Sequence, residues 1–298
     1  MRLLLLLCLC ALRVAAEPGA VLRIQPAAEI PLKAEAAGVL LPAVLCGESR
    51  PLLLDSGSQG HFVSQALAPQ LGSALPDTEG QTAAGPHRFA RHRAPEHFRI
   101  AGLPPGAAEL ALFDTAALSA AFGWPVAGTA GLAVMRRHCW IFDFDAGMLT
   151  IGPRLDAPAG DVSPAPADSL VHLPVEFPAG VTVPFLLDTG AAGWGTLEAE
   201  LFDALAARSL IRVLPEKVRL QTSGGLSEEA PQATLRGLKL NGHSLPEMTL
   251  VRSNLSRLGW RTFTAFNWQI DLSRSEIFIL PRQLAPRSVS THTPKKTP

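Results

Sequence analysis

An apolar run that ends in Asp, a small hydroxyl residue and Gly occurs twice in this chain. One copy is Phe185–Ala191, FLLDTGA, and the other is Leu52–Ser58, LLLDSGS, 133 residues earlier. Each apolar run predicts a buried strand, and the Gly permits a tight turn that leaves the carboxylate at the end of the strand. One Asp-Gly turn means little, because both residues are common in turns. Two copies predict that Asp55 and Asp188 face each other, and paired carboxylates can divide acid and base roles.

The similarity between the two regions extends beyond the Asp motifs. Each motif lies on the second strand of a predicted hairpin and is followed by a predicted helix. The predicted strands are 39–45 with 51–54 and 171–177 with 181–187, and the predicted helices are 63–71 and 197–207. Two glycine-rich segments follow the helices, QTAAG at 81–85 and QTSGG at 221–225. Small, polar and glycine-rich segments of this type are typical of hairpin tips.

A third pair of segments matches without a gap. A constant offset of 128 residues relates one set of residues to another: Gly131, Trp140, Asp143 and Pro153 match Gly259, Trp268, Asp271 and Pro281. Each segment predicts a short helix after the glycine, then a strand, a turn and a closing strand. The chain is therefore predicted to be an internal duplication.

The length of 298 residues and the hydrophobic content of 47% suffice for two lobes, each with its own core. The predicted organisation is a signal peptide at 1–16, an N-terminal lobe at 17–153, a linker at 154–169, a C-terminal lobe at 170–281 and a disordered tail at 282–298. The signal peptide predicts export, to a periplasm or to the outside of the cell. An uncleaved anchor is the alternative, but its apolar run is short for a bilayer, and no other stretch is long enough to span one. Residues 17–37 are predicted to form an N-terminal strand or arm.

The charge balance gives no indication of a polyanionic partner, because 26 basic residues face 26 acidic ones. Cys46 and Cys139 are the only cysteines after residue 16, and one disulfide or two buried thiols are both open. Their spacing does not suit a metal site. His87, His92 and His97 lie among arginines, as in a solvated loop. We predict no metal, no cofactor and no nucleic-acid partner.

Taken together, the doubled D-[ST]-G motif, the glycine-rich segments and the third matched element resemble the aspartic proteases. The two tandem copies resemble the pepsin-like bilobal arrangement, while each lobe is similar to the retropepsin-like bacterial aspartyl proteases. The resemblance covers residues 36 to 281, approximately. It implies a mainly β, bilobal acid-protease fold, in which two pseudo-symmetric lobes enclose a central cleft.

The resemblance also implies roles for individual residues. Asp55 and Asp188 would form the catalytic pair, and the hydroxyls of Ser56 and Thr189 would each brace the backbone of the other lobe. Ser58 would support Asp55 by a hydrogen bond. The implied supporting residues are Ser56, Gly57, Ser58, Thr189 and Gly190, and the implied flap residues are Thr82, Gly85, Thr222, Gly224 and Gly225.

The function that the resemblance implies is an aspartic endopeptidase, which hydrolyses an extended polypeptide with a water activated between two Asp. We expect a monomer without a membrane span after signal removal. The chain has no Tyr, so any flap contact would be of the retroviral, glycine-rich type. One alternative is a catalytically inactive peptide-binding protein of the same fold. The other is an actin-like nucleotide-binding protein, whose phosphate loop also begins with strand-Asp-x-Gly, although an exported chain would not meet ATP.

Other polar residues near the motifs are predicted to be structural. His61 follows the first Asp motif, but the second half has Trp194 in that neighbourhood and offers no partner for a catalytic base. Asp143, Asp145 and Asp271 belong to the strand-turn-strand elements, where Asp commonly supports a turn.

Overall fold

The structure, a computed structural model, describes residues 28–32, 37–82, 85–123, 125–152, 162–164, 170–178, 180–221 and 227–283. The predicted signal peptide, most of the predicted linker and nearly all of the predicted tail lie outside these ranges. The protein is mainly β, with 49% strand and 13% helix, and it has several sheets. Within the described ranges, no helix has the length and apolar character needed to cross a bilayer.

The first half of the chain contains strands β1 to β11. They are β1 (Ala28–Pro31), β2 (Leu40–Leu45), β3 (Glu48–Leu54), β4 (His61–Ser64), β5 (Ala74–Thr82), β6 (Gly85–Arg93), β7 (Arg99–Ile100), β8 (Glu109–Phe113), β9 (Gly128–Ala130), β10 (Cys139–Asp143) and β11 (Met148–Gly152). Its helices are a 3₁₀ helix (Gln65–Gln70), α1 (Ala116–Phe122) and α2 (Leu132–Met135). β1 lies within residues 17–37, where the sequence predicts an N-terminal strand or arm, and residues 17–27 and 33–36 lie outside the described ranges.

The remaining strands and helices follow residue 160. The strands are β12 (Val162–Pro164), β13 (His172–Glu176), β14 (Thr182–Leu187), β15 (Gly195–Glu198), β16 (Arg212–Val213), β17 (Val218–Gln221), β18 (Ser227–Ala230), β19 (Gln232–Leu235), β20 (Lys239–Leu240), β21 (His243–Ser244), β22 (Met248–Ser253), β23 (Arg257–Leu258), β24 (Phe266–Asp271) and β25 (Glu276–Pro281). The helices are α3 (Ala199–Ala207) and α4 (Trp260–Phe263). β12 lies inside the segment that the sequence predicts to be a linker, and it pairs with β25.

Each half has its own large sheet, and a third sheet contains strands of both. The first half forms an eight-stranded sheet in the order β5-β6-β8-β4-β9-β3-β2-β7. The second half forms a nine-stranded sheet in the order β16-β19-β22-β15-β23-β14-β13-β20-β21 and the separate hairpin β17-β18. The shared sheet has six strands in the order β1-β11-β10-β24-β25-β12. Because β10 and β24 are hydrogen-bonded neighbours, the two halves are joined by continuous sheet.

The junction between β10 and β24 lies on a local twofold axis. The two strands are antiparallel, and Ile141 pairs with Gln269, the residue 128 positions later. This is the offset that relates the two halves in sequence, so equivalent residues meet at the crossing point. Buried aromatic rings pack beside it, with Phe263 stacked on Trp268 at 4.6 Å and in edge contact with Phe142 at 4.7 Å between ring centroids.

Each Asp motif is carried by the second strand of a hairpin, as predicted. The first hairpin turns at Cys46 and Gly47, whose φ angles of 55° and 79° are those of a turn that matches the twist of the strands. The second strand therefore begins at Glu48, earlier than the predicted 51–54. The last three residues of β3 and of β14 are buried, because each strand lies between two neighbours in its sheet. This position explains the uninterrupted apolar runs that precede the two Asp residues.

The two predicted helices after the Asp motifs are partly wrong. Residues 63–71 form the end of β4 and a 3₁₀ helix, because Val63 pairs within the sheet and Pro69 cannot donate a helical hydrogen bond. Residues 197 and 198 belong to β15, and the helix begins at Ala199. Long-range strand pairing determines both differences, and a local apolar period does not reveal it.

The described strands of two hairpins end at the glycine-rich segments, while residues 83–84 and 222–226 lie outside the described ranges. Thr82 pairs with Gly85 at the end of β5-β6, and Gln221 pairs with Ser227 at the end of β17-β18. The third matched element is confirmed in both halves. Gly131 and Gly259 each precede a one-turn helix, which is followed by two antiparallel strands of the shared sheet.

Candidate active site

Asp55 and Asp188 occupy equivalent positions at the ends of β3 and β14. The N–H of Asp55 donates to the carbonyl oxygen of Ala130, and the N–H of Asp188 donates to that of Leu258, both at 2.9 Å. The acceptors precede Gly131 and Gly259, respectively. The residues that lead into the third matched element therefore fix where each Asp leaves its strand.

Hydroxyl groups tie the two Asp loops to each other. Ser56 Oγ donates to the carbonyl oxygen of Leu187 at 2.7 Å and accepts from the N–H of Thr189 at 3.0 Å. In return, Thr189 Oγ1 donates to the carbonyl oxygen of Leu54 at 2.9 Å and accepts from the N–H of Ser56 at 3.0 Å. Both side chains are fully buried. Each hydroxyl thus satisfies two buried backbone groups of the other half.

The glycine of each loop lies against the carboxyl group of the other loop. A Cβ on Gly57 would lie 2.5 Å from Asp188 Cγ, and a Cβ on Gly190 would lie 2.7 Å from Asp55 Cγ. Only glycine permits this approach at both positions. Each carboxylate also accepts an N–H bond within its own loop, from Gly57 to Asp55 Oδ1 at 3.0 Å and from Gly190 to Asp188 Oδ1 at 3.1 Å. The structure therefore brings the two acids, their hydroxyl neighbours and their glycines into one cluster.

The environment of Asp55 disfavours its ionised form. Burial of the carboxyl group, and next the negative charge of Asp188, raise the pKa of Asp55 to about 7. Hydrogen bonds from Ser58 and from the Gly57 amide, and the positive charge of Arg257, oppose this rise. The hydroxyl of Ser58 also lies 3.3 Å from the carbonyl oxygens of Asp55 and Gly60, so it stabilises the loop itself.

Asp188 has a cationic partner that the sequence analysis missed. Arg257 Nη1 donates to Asp188 Oδ2 at 2.9 Å, and the two side chains are only 13% and 7% exposed. Arg257 Nε donates to Thr196 Oγ1 at 3.2 Å, which orients the guanidinium group. The signal in the sequence is an arginine two residues before Gly259, where the first half has Thr129 two residues before Gly131.

The predicted flap residues are placed only in part. Thr82 and Gly85 end the two strands of the β5-β6 hairpin. Thr222, Gly224 and Gly225 lie outside the described residues, between the ends of β17 and β18.

His61 is a structural residue, because both ring nitrogens already have partners. Its Nδ1 accepts the N–H of Gly131 at 3.1 Å, and its Nε2 donates to the carbonyl oxygen of Pro105 at 2.7 Å. Burial lowers the pKa of His61, which favours this neutral form.

The acidic residues of the shared sheet also have structural partners. Asp143 accepts two N–H bonds in the turn after β10, and Asp145 forms an ion pair with Arg282. Asp271 accepts a hydrogen bond from Ser273. Cys46 and Cys139 are not joined by a disulfide in the structure. Among the described residues, no cluster of His, Cys, Asp and Glu is arranged to bind a metal ion.

Because burial and the charge of Asp188 raise the pKa of Asp55, one proton stays on this site over a range of pH in which an ordinary carboxyl group would be ionised. The ionised member can take a proton from water, and the protonated member can donate to a carbonyl oxygen. Comparisons of the sequence with protein-family models and with curated proteins found no match. Function is therefore inferred from the geometry of this site.

Proposed function

We propose that this protein is an aspartic endopeptidase with the bilobal acid-protease fold, and that Asp55 and Asp188 are its catalytic pair. The observation that carries this proposal is the reciprocal contact between the Asp loops. Each loop places a hydroxyl on the backbone of the other and a glycine against the carboxyl group of the other. Such an arrangement holds two acids together in spite of their mutual repulsion. The repulsion destabilises the fold, but it also perturbs the pKa values of the acids in the way that proton transfer requires.

In the proposed reaction, ionised Asp188 accepts a proton from a water molecule while the water oxygen bonds to the carbonyl carbon of the peptide. Protonated Asp55 donates its proton to the carbonyl oxygen, which gives a neutral tetrahedral intermediate. The carbon–nitrogen bond then breaks, the leaving nitrogen takes the proton from Asp188, and one hydroxyl of the intermediate returns a proton to Asp55. No covalent acyl-enzyme forms, and both carboxyl groups end as they began.

The proposed substrate is a polypeptide in extended conformation. The β5-β6 and β17-β18 hairpins are candidate flaps, because strand edges can bind an extended peptide through backbone hydrogen bonds. The proposed flap residues remain Thr82, Gly85, Thr222, Gly224 and Gly225. The chemistry needs no cofactor, because water is the nucleophile and the two acids supply the proton transfers.

The test is hydrolysis of a denatured protein by the purified chain, followed from about pH 3 to about pH 8 by the release of new amino termini. Asp55→Asn and Asp188→Asn should each lower the rate by at least about 100-fold. A statine-type inhibitor should block the wild-type reaction. Asp143→Asn is the matched control, because Asn can still accept the turn hydrogen bonds of Asp143 and the residue lies in the shared sheet. Equal activity in all four proteins would exclude the proposed pair.

A catalytically inactive peptide-binding protein of the same fold is the second candidate. The observation in its favour is the ion pair with Arg257, which occupies one oxygen of Asp188. A folded wild-type protein that binds the inhibitor and cleaves nothing would establish this alternative. We do not propose an actin-like nucleotide site, because the hydroxyls of Ser56 and Thr189 are bonded to the backbone and two facing carboxylates repel phosphate.

A further inference from the structure

The two acids of the site have different sets of charge-stabilising partners. Asp188 accepts N–H bonds from Gly190 at 3.1 Å, from Ala191 at 3.0 Å and from the guanidinium of Arg257 at 2.9 Å. At Asp55, the described donors are the Gly57 amide at 3.0 Å and the Ser58 side chain. Hydrogen bonds to a carboxylate, and above all from a cation, favour its ionised form. The geometry therefore favours the negative charge on Asp188 and leaves the proton for Asp55.

Strand register shows that the cation belongs to one half only. In the first half, Leu53 of β3 pairs with Thr129 of β9. In the second half, Leu186 of β14 pairs with Arg257 of β23. Thr129 and Arg257 are therefore equivalent positions beside equivalent acids. The Thr129 hydroxyl is buried, and it has no hydrogen-bond partner among the described residues, so it does not stabilise the charge of Asp55.

We propose that Arg257 is a positioning residue that makes the acid pair asymmetric, by holding Asp188 ionised as the base and leaving Asp55 protonated as the acid. This inference rests on the proposed function for its consequence in catalysis, but the charge arrangement itself does not require that function. Arg257 acts through Asp188, and no contact with substrate is assigned to it.

The charged groups around the pair are few. Glu198 lies at the end of β15, which pairs with β23, and it is exposed. Arg252 of β22, on the other side of β15, pairs with Asp203, and Arg261 of α4 lies over the ring of Trp194. The strand segment of β14 carries no charged residue. Among the described residues, Arg257 is thus the cation that contacts Asp188 and opposes the rise in the pKa of Asp55, and its removal should make both acids easier to protonate.

The first test needs no substrate. The carboxyl carbons of isotope-labelled aspartates are followed by NMR against pH in the wild type, Arg257→Gln, Arg257→Lys and Arg252→Gln. Arg257→Gln should move the lower of the two coupled titration steps upward by about one pH unit or more, because a cation within hydrogen-bond distance favours the ionised carboxylate by that order. Arg257→Lys keeps a cation beside Asp188, so the lower titration step should stay close to its wild-type position. Arg252→Gln is the control, since it removes an exposed cation of the same sheet and should change neither step.

The second test is the pH profile of peptide hydrolysis. Both limbs should move to higher pH in Arg257→Gln, with the acid limb moving farther because Arg257 contacts Asp188 directly. An unchanged lower titration step, or a variant more active than the wild type at the wild-type optimum, would overturn the role assigned to Arg257. If no protein of the series cleaves peptides, the proposed function fails, while the NMR titration still decides whether Arg257 sets the charge of the pair.

Discussion

The two halves of the site share a backbone framework and differ in the charges around it. In each half, the amide of the Asp donates to the residue before a glycine, Ala130 in the first and Leu258 in the second. The side chains beside the acids differ, with Thr129 in one half and Arg257 in the other. The duplicated backbone therefore fixes where the carboxyl groups lie, and the residues that are not duplicated determine how the two groups are charged.

The largest expected effect is the loss of peptide hydrolysis when the glycine of either Asp loop is replaced by alanine. Gly57→Ala and Gly190→Ala each introduce a Cβ within 3 Å of the opposite carboxyl group, so each should displace that group. A displacement of the order of 1 Å should lower peptide hydrolysis by at least about 100-fold, and by a similar factor in both variants. Gly60→Ala is the matched control, because a Cβ there would meet no atom within 4 Å. Full activity in either site variant would mean that the acids do not need this approach.

The next prediction is that replacing the two acids changes the free energy of unfolding in opposite directions. Asp188→Asn leaves the largely buried Arg257 without its anion, and it should lower the free energy of unfolding by about 3 kcal/mol at neutral pH. Asp55→Asn should raise that free energy instead. The pKa of Asp55 is raised to about 7, so its ionisation opposes folding from about pH 4 upward, and the opposition is complete above pH 7.

Urea unfolding at about pH 4 and about pH 8 measures both changes. At the higher pH, Asp55→Asn should be more stable than the wild type by roughly 2–4 kcal/mol, and at the lower pH this gain should be lost. Asp203→Asn is a control of opposite sign. A hydrogen bond from Arg252 lowers the pKa of the exposed Asp203, so that group stabilises the fold above its ordinary pKa and loses the effect as pH falls. If both site variants changed stability in the same direction, the two acids would not differ in charge as inferred.

A smaller and equal effect is expected from the crossed hydroxyls. Ser56→Ala and Thr189→Ala each leave a buried carbonyl oxygen and a buried N–H of the other half without their partner. Each should lower the free energy of unfolding by about 2 kcal/mol. Thr189→Ser keeps the hydroxyl and should recover most of the loss. A large difference between Ser56→Ala and Thr189→Ala would show that the framework is less symmetric than its hydrogen bonds suggest.

Much of this framework could be predicted from the sequence, because it depends on repeated local patterns. The apolar runs before Asp55 and Asp188 gave the two strands, and the constant offset from Gly131 to Gly259 gave the third element in register. The shared sheet was not predicted, since pairing between β10 and β24 is a long-range contact between the halves. The first predicted helix was wrong for the same reason, because sheet pairing at Val63 overrides its local pattern.

The electrostatics of the site were less accessible to sequence analysis. Arg257 is not part of a recognisable motif, and its role depends on the side chain of Asp188, 69 positions earlier in the chain. Only the alignment of the two halves marks it, because an arginine stands where the other half has Thr129. Internal duplication predicts what the halves share. The places where they differ become informative once register shows that the positions are equivalent.

The smallest expected difference concerns the group that accepts the N–H of the glycine in each third element. Gly259 donates to the main-chain oxygen of Trp194 at 2.9 Å, whereas Gly131 donates to the ring nitrogen of His61 at 3.1 Å. A carbonyl oxygen does not titrate, but the imidazole does, and burial lowers the pKa of His61. The lowered pKa of His61 should therefore reduce stability as pH falls below about 6.5, the ordinary pKa of histidine.

His61→Gln should lower the free energy of unfolding by about 1 kcal/mol at neutral pH, and by less as pH falls. Urea unfolding at about pH 7 and about pH 5 measures this, with the exposed His97→Gln as control. A variant that loses as much stability on acidification as the wild type would assign that loss to another group.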